Sequence, residues 1–145
     1  MNTDDVDDEI AALLTQADQR FTSGRRALVA VLRMLGRPVT IPQILDAADG
    51  LAQSSVYRNL VVLEDAGVVT RIVTNDDFAR YELAEQLTEH HHHLICSHCG
   101  DVTDFALGNH TEDALDGALH RIADDVGFVI ESHRLDLIGT CADCR

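Results

Sequence analysis

The stretch TIPQILDAADGLAQSSVYRNLVVLEDAGVVTRIVTNDDFARYEL, residues 40–83, changes its hydrophobic period once, and that change decides the fold. Ile41, Ile44, Leu45 and Ala48, then Val56, Leu60 and Leu63, recur at helical spacing. Thr40 can cap the first of these helices while Gln43 reaches back, with Pro42 in the first turn, and Asp49-Gly50 ends it. The second helix starts at Ser54 or Ser55 and stops at Gly67. Val68 to Thr74 and Phe78 to Leu83 are then β-prone runs joined by the polar turn Asn75-Asp76-Asp77. Two short helices followed by a hairpin describe a winged helix-turn-helix. The same periodicity also fits a small helical unit that merely carries a hairpin.

Moving toward the N-terminus, Leu28, Val31, Leu32 and Leu35 form the apolar stripe of another helix, capped by Thr22 or Ser23 and stopped by Gly36. Before it, Ile10, Leu13, Leu14, Ala17 and Phe21 trace a further amphipathic helix, and residues 1–9 read as a solvated acidic lead-in. The charge distribution separates the two readings of the hairpin. Net charge is −14 over 145 residues, all eleven cations are arginines, and eight of them fall within residues 19–83. Residues 1–18 carry −6, residues 19–83 carry +1 and residues 84–145 carry −9. Only the middle segment can meet DNA phosphates, which favours the winged helix. Arg25, Ser54, Ser55, Tyr57 and Arg58 are the candidate DNA-contacting residues.

Beyond residue 83 a hinge over residues 84–90 leads into a second unit, residues 91–145. His92 to Cys96 and Val102 to Phe105 read as strands; Leu115, Ala118, Leu119, Ile122 and Val126 mark a helix stopped by Gly127; Phe128 to Ile138 reads as one further strand. The fold class is therefore α+β: a winged helix-turn-helix over residues 1–83, then a small α/β unit near the size at which a core needs reinforcement.

That reinforcement is visible in the cysteines. All four fall into two pairs, Cys96-x-x-Cys99 and Cys141-x-x-Cys144. Two such turns offer four thiolates to one ion, the donor set of a closed structural Zn(II) site. Two disulfides and a rubredoxin-like iron centre use the same spacing. The run His90-His91-His92-His93 precedes the first pair. On a strand, His90 and His92 share one face while His91 and His93 share the other, so one run can feed two separate metal sites.

These residues in this order resemble the ferric uptake regulator (Fur) superfamily of bacterial metal-responsive repressors. The resemblance is carried by Ser55-Val56-Tyr57-Arg58-Asn59-Leu60, which looks like the family's recognition-helix core, by the His run ending in Cys96-x-x-Cys99-Gly100, and by Gly139-Thr140-Cys141-x-x-Cys144. It implies an N-terminal winged helix, a C-terminal dimerisation domain, a homodimer and a double-stranded operator as partner. It puts structural zinc on Cys96, Cys99, Cys141 and Cys144. It puts a hinge sensory site on Glu82, His91 and His93. The fourth ligand there comes, in many members, from a His of the DNA-binding domain. Here that stretch reads Gly36-Arg37-Pro38-Val39, leaving Asp65 or a water to complete the set. A third site falls on His90, His92, Asp116 and His133. His98, His110 and His120 match no family ligand and read as surface residues. Glu82 with two imidazoles suits Fe(II) or Mn(II) and also accommodates Zn(II), and the balance leans to iron.

Composition narrows the function further. The longest uncharged apolar runs fall far short of the roughly 20 residues of a membrane helix. The N-terminus is acidic where a secretory signal would be basic, which points to a cytoplasmic protein. The resulting expectation is a metal-dependent transcriptional repressor and not an enzyme. The rival is a metalloenzyme, or a redox or metal-buffer protein, built on the cysteine site and the His run. A helix-turn-helix bearing arginines and the lack of a nucleophile constellation weigh against it.

Overall fold

The structure, a computed structural model, describes residues 2–145. Its acidic start is helical: α1 spans Thr3–Gln16. The Asn2 side chain accepts from the amides of Asp4 and Asp5, and those two carboxylates lie at the positive end of the helix. Val6, Ile10 and Leu14 are buried, so the expected lead-in of residues 1–9 is instead largely the first two turns of a packed helix. Phe21 falls outside α1 and lies beneath the Arg26 guanidinium, 4.0 Å from the ring centroid.

Helix α2 (Ser23–Leu35) is capped by Thr22 and closed by Gly36 at φ 60°, a left-handed conformation that glycine adopts without strain. Helix α3 (Ile41–Ala47) has the complete capping box of Thr40 and Gln43. Helix α4 (Gln53–Asp65) begins just before the serines, with Ala52 at its N-cap and no side-chain cap. Strands β1 (Val69–Val73) and β2 (Ala79–Leu83) pair antiparallel with Val69 opposite Leu83, and Val39 bridges Tyr81 alongside. Leu28, Leu32, Val39, Ile44, Val56, Leu60, Leu63 and Val68 fill one core, which also takes in Leu87 from a 3-10 turn at Glu85–Leu87.

Strands β3 (His92–Cys96), β4 (Val102–Phe105) and β5 (Asp136–Gly139) form a separate sheet in the order β4-β3-β5. β3 runs antiparallel to β4 and parallel to β5, with helix α5 (Asn109–Asp125) in the connection. The strand expected over Phe128 to Ile138 is corrected here: only its last part pairs, because β3 offers an edge from Asp136 onward. Helix α5 buries only Ala123, while Phe128 and Val129 are 65% and 83% exposed. The architecture is α+β, a winged helix-turn-helix followed by a small α/β unit. Among the described residues no helix is long and apolar enough to cross a membrane.

Candidate metal centres and nucleic-acid face

Strand β3 ends in Cys96 and the turn after it carries Cys99, while the chain leaving β5 carries Cys141 and Cys144. Because β3 and β5 are adjacent and parallel, both turns emerge at one end of the sheet. The four Sγ atoms lie within 4.8 Å of one another and none is bonded to another. Cys99 Sγ and Cys141 Sγ are 3.9 Å apart. That matches a tetrahedral edge of about 3.8 Å for metal–sulfur bonds of about 2.3 Å. Backbone amides of Cys141, Cys99 and His98 surround the Cys96 sulfur and lower its pKa to about 6. Contact with Cys141 and Cys99 pushes Cys144 up to about 12. Four thiols so close cannot all ionise unaided, so the set fits a divalent cation at its centre.

The His run divides as its alternation requires. Glu82 at the end of β2, His91, His93 on β3 and Asp104 on β4 bring ligand atoms within 4.8 Å of one another. Glu82 Oε1 lies 2.9 Å from His93 Nε2 and Glu82 Oε2 lies 3.2 Å from His91 Nε2. The fourth member is Asp104, the register partner of His93 across β3–β4. Asp65 is exposed at the end of α4 and joins no such group. Each imidazole is held through its other nitrogen: His91 Nδ1 is 2.8 Å from the Glu89 carbonyl, and His93 Nδ1 is 3.3 Å from Asp136 Oδ1. Such outer partners orient metal-ligating rings. Burial and the Glu82 charge raise the pKa of Asp104. The hydrogen bond that His93 donates to Glu82 raises that of His93. For His91, burial acts downward but is outweighed by the Glu89 carbonyl and the Glu82 and Asp104 charges. Asp104 Oδ1 is buried without a hydrogen-bond partner, a donor atom that an ion would satisfy.

On the opposite face of β3, His90 and His92 meet Glu112 and His133. Glu112 lies 3.0 Å from His90 Nε2, 3.0 Å from His92 Nε2 and 2.9 Å from His133 Nε2. His92 Nδ1 is buried without a hydrogen-bond partner, and the close approach of Glu112 to the buried His133 Nε2 lacks hydrogen-bond geometry. His92, through its hydrogen bond, is the main cause of a lowered Glu112 pKa. Asp116, expected as the carboxylate ligand, lies outside this group. Its Oδ1 is 3.1 Å from His133 Nδ1, on the nitrogen not turned to Glu112. Glu112 and Asp116 stand four apart on α5, and the resemblance pointed to Asp116 alone. His98, His110 and His120 are exposed and belong to none of the three groups.

In the winged helix, α4 buries Val56, Leu60 and Leu63 and exposes Ser54, Tyr57 and Arg58, with Ser55 partly covered. Arg25 is half-buried: its Nε donates to Asn59 Oδ1 at 3.2 Å and its Nη1 to the Arg20 carbonyl at 2.6 Å. It braces α2 against α4 and has no carboxylate within ion-pair distance among the described residues. Asp7 of α1 takes up Arg33 at 2.9 Å and Arg26 at 3.7 Å. Arg58 has no carboxylate within ion-pair distance among the described residues.

A winged helix tied by its last strand to a sheet rich in metal ligands defines a metal-dependent transcriptional regulator. The sequence profile of the ferric uptake regulator family matches residues 16–138, and the chain belongs to that family. It is 38% identical over 96 residues to the ferric uptake regulation protein of Bordetella parapertussis, a stretch covering 66% of this chain and 63% of that protein. It is 28% identical over 143 residues to the peroxide-responsive repressor PerR of Staphylococcus aureus, covering 95% of this chain and 90% of that one. The fold superposes on the ferric uptake regulator of Helicobacter pylori with a TM-score of 0.76 at 23% identity, covering 99% and 94% of the two chains.

Proposed function

We propose that the protein is a homodimeric repressor that closes on a palindromic operator when a divalent metal binds at the hinge. The observation that carries this reading is Glu82 reaching both His93 and His91, at 2.9 and 3.2 Å, from the last strand of the wing. Glu82, His91, His93 and Asp104 would hold the regulatory ion, supplied by two nitrogen and two oxygen donors, a set suited to Fe(II), and workable for Mn(II) or Zn(II). One relative, the protein of Bordetella parapertussis, is a ferric uptake regulation protein by name, in keeping with Fe(II). Cys96, Cys99, Cys141 and Cys144 would hold structural Zn(II). His90, His92, Glu112 and His133 would form an additional site.

The bound ion supplies positive charge at a point where carboxylates and imidazoles otherwise repel or compete for protons. Glu82 belongs to the DNA-reading unit and the other three donors to the C-terminal unit, His93 and Asp104 on its sheet and His91 just before β3, so all four converge only when the units are closed. Shifting such an equilibrium from 1:99 to 99:1 requires about 5.5 kcal/mol of preference for the closed form. Ile122, Val126, Phe128, Val129, Leu137 and Ile138 are exposed apolar residues of the C-terminal unit, and a second copy of the chain would cover them. A fixed dimer then presents two α4 helices to half-sites about one helical turn apart, with Tyr57, Arg58, Ser54, Ser55 and Arg25 at the DNA.

The test is a mobility shift of AT-rich palindromic DNA in Fe(II), Mn(II) and Zn(II) titrations run separately. Metal-stimulated binding, strongest with Fe(II), is the expected result. No metal dependence across an operator panel would leave the gating reading without support.

A further inference from the structure

The tip of the wing rests on the Cys96–Cys99 turn, and the hinge cluster makes no use of that contact. The tip is rigid by construction. Arg80, 4% exposed, donates Nη1 to Asp76 Oδ1 and Nη2 to Asp76 Oδ2, both at 2.9 Å. Thr74 Oγ1 donates to Asp76 Oδ1 at 2.8 Å and receives Arg80 Nη1 at 3.0 Å. The turn so fixed presents Asn75, whose Nδ2 donates to the Ser97 carbonyl. It also lays the Asp76 carboxylate against Gly100, where the Cβ of any other residue would overlap it. Beside them Arg37 Nη1 lies 3.1 Å from Asp101 Oδ1.

The receiving surface is equally fixed. Ser97 donates its amide and its hydroxyl to the Gly139 carbonyl, at 2.8 and 3.0 Å, which ties the first cysteine turn to the strand leading to the second. The Gly100 amide donates to the Cys96 carbonyl at 2.9 Å, closing the turn.

We propose that Asn75, Asp76 and Arg37 are positioning residues, a clasp that seats the wing on the cysteine turn and fixes the orientation of the DNA-reading unit. The inference rests on the metal-gated repressor reading for its DNA readout. Its physical basis is leverage. Glu82 is at one end of the β1–β2 hairpin and Asn75 at the other. Their partners, His93 and Ser97, stand four residues apart along and just beyond β3, roughly 13 Å at about 3.3 Å per residue. A single hinge attachment leaves the unit free to rotate about that point; a second attachment at the far end of the hairpin removes the rotation. Both attachments coexist in one conformation, so the clasp belongs to the closed form, and by linkage it strengthens both metal binding at the hinge and DNA binding.

Asp76→Ala would strand the buried Arg80 charge and could unfold the tip, so the informative variants are Asn75→Ala, Asp101→Asn and the pair. None replaces a proposed metal ligand or a core residue, and the hydrogen bond from the Cys96 amide to the Asp101 carbonyl is a backbone bond that the substitution keeps. Asp101→Asn also removes a negative charge, which by simple electrostatics would tighten DNA binding, whereas loss of the clasp weakens it. Asn75→Ala should weaken operator binding at saturating metal by about three- to tenfold, the scale of one hydrogen bond, Asp101→Asn by about two- to fivefold, the scale of a solvent-screened ion pair, and the pair by more. Mn(II) affinity at the hinge should fall in parallel, with zinc content and melting temperature unchanged. Variants within twofold of wild type in both affinities, or binding DNA more tightly, would overturn the clasp. If wild type itself shows no metal-dependent DNA binding, the repressor reading fails, and the Mn(II) titration still decides the clasp.

Discussion

Asp116 stands 3.1 Å from the Nδ1 of His133, while Glu112, one turn earlier on α5, reaches the Nε2 of the same ring at 2.9 Å. One carboxylate thus orients the imidazole and the other shares its inward side. Glu112→Ala should abolish metal binding at the His90, His92 and His133 group. Asp116→Ala should weaken it by about 10- to 100-fold, as loss of an outer-shell partner does. Competition titration with a chromophoric chelator separates the two; equal losses would place both carboxylates on the ion.

At the hinge, His91→Ala with His93→Ala should abolish metal-stimulated DNA binding while leaving the dimer and its cysteine-held zinc intact. Their rings belong to the group that includes Glu82 and Asp104, which shares no residue with the four cysteines. Operator binding equal to wild type at the same free metal would move the sensor to the opposite face of β3.

Hinge affinity should depend on pH with a definite sign. The Glu82 hydrogen bond raises His93 above its ordinary 6.5, and the Glu89 carbonyl with the Glu82 and Asp104 charges, acting against burial, raises His91. An incoming ion must displace those protons, so affinity climbs as pH rises through the raised values and levels off above them. In the metal-free protein the linkage runs the other way. Protonated histidines with raised values stabilise the fold fully below 6.5, and that contribution is lost as pH rises through the folded values. Melting curves of the metal-free protein should therefore shift down with rising pH, and His91→Asn with His93→Asn should flatten the trend.

Cys96→Ser should release one tightly held ion and unfold the C-terminal unit. That unit buries few apolar side chains, chiefly Val102 and Ala123 besides Cys96 itself. A structural zinc contributes on the order of 10 kcal/mol to such a fold. Metal analysis and far-UV dichroism check this, with the helices of the winged unit expected to persist. Unchanged zinc content would exclude the four-thiolate assignment.

Arg58→Ala should weaken operator binding by about 1–3 kcal/mol and leave metal content unchanged. The side chain is exposed on α4 and lacks a carboxylate partner among the described residues, so its removal costs little stability. A loss uniform across DNA sequences with a shallower salt dependence would identify a phosphate contact; loss at one base position would identify a base contact.

Local rules made much of this protein legible in its sequence. Thr40 and Gln43 announce the start of α3 because a capping box is settled within four residues. Gly36 announces the end of α2 because a left-handed residue closes it. The split of four consecutive histidines between two faces follows from the two-residue period of a strand, and the paired cysteines follow from the reach of a tight turn. What failed locally was the acidic start. The sequence pattern showed its charge, yet the helix is held by Val6 and Ile10 entering a core built mostly by later residues. Tertiary structure alone decided the rest. Glu112 and Asp116 share a helix face, so periodicity cannot rank them; the path bringing His133 back beside β3 does. Asp104 joins Glu82, His91 and His93 only through the β3–β4 register, and Asn75 meets Ser97 only through the seating of the wing. Spacing along the chain fixes what neighbours can do together, whereas a site drawn from distant segments depends on how those segments pack.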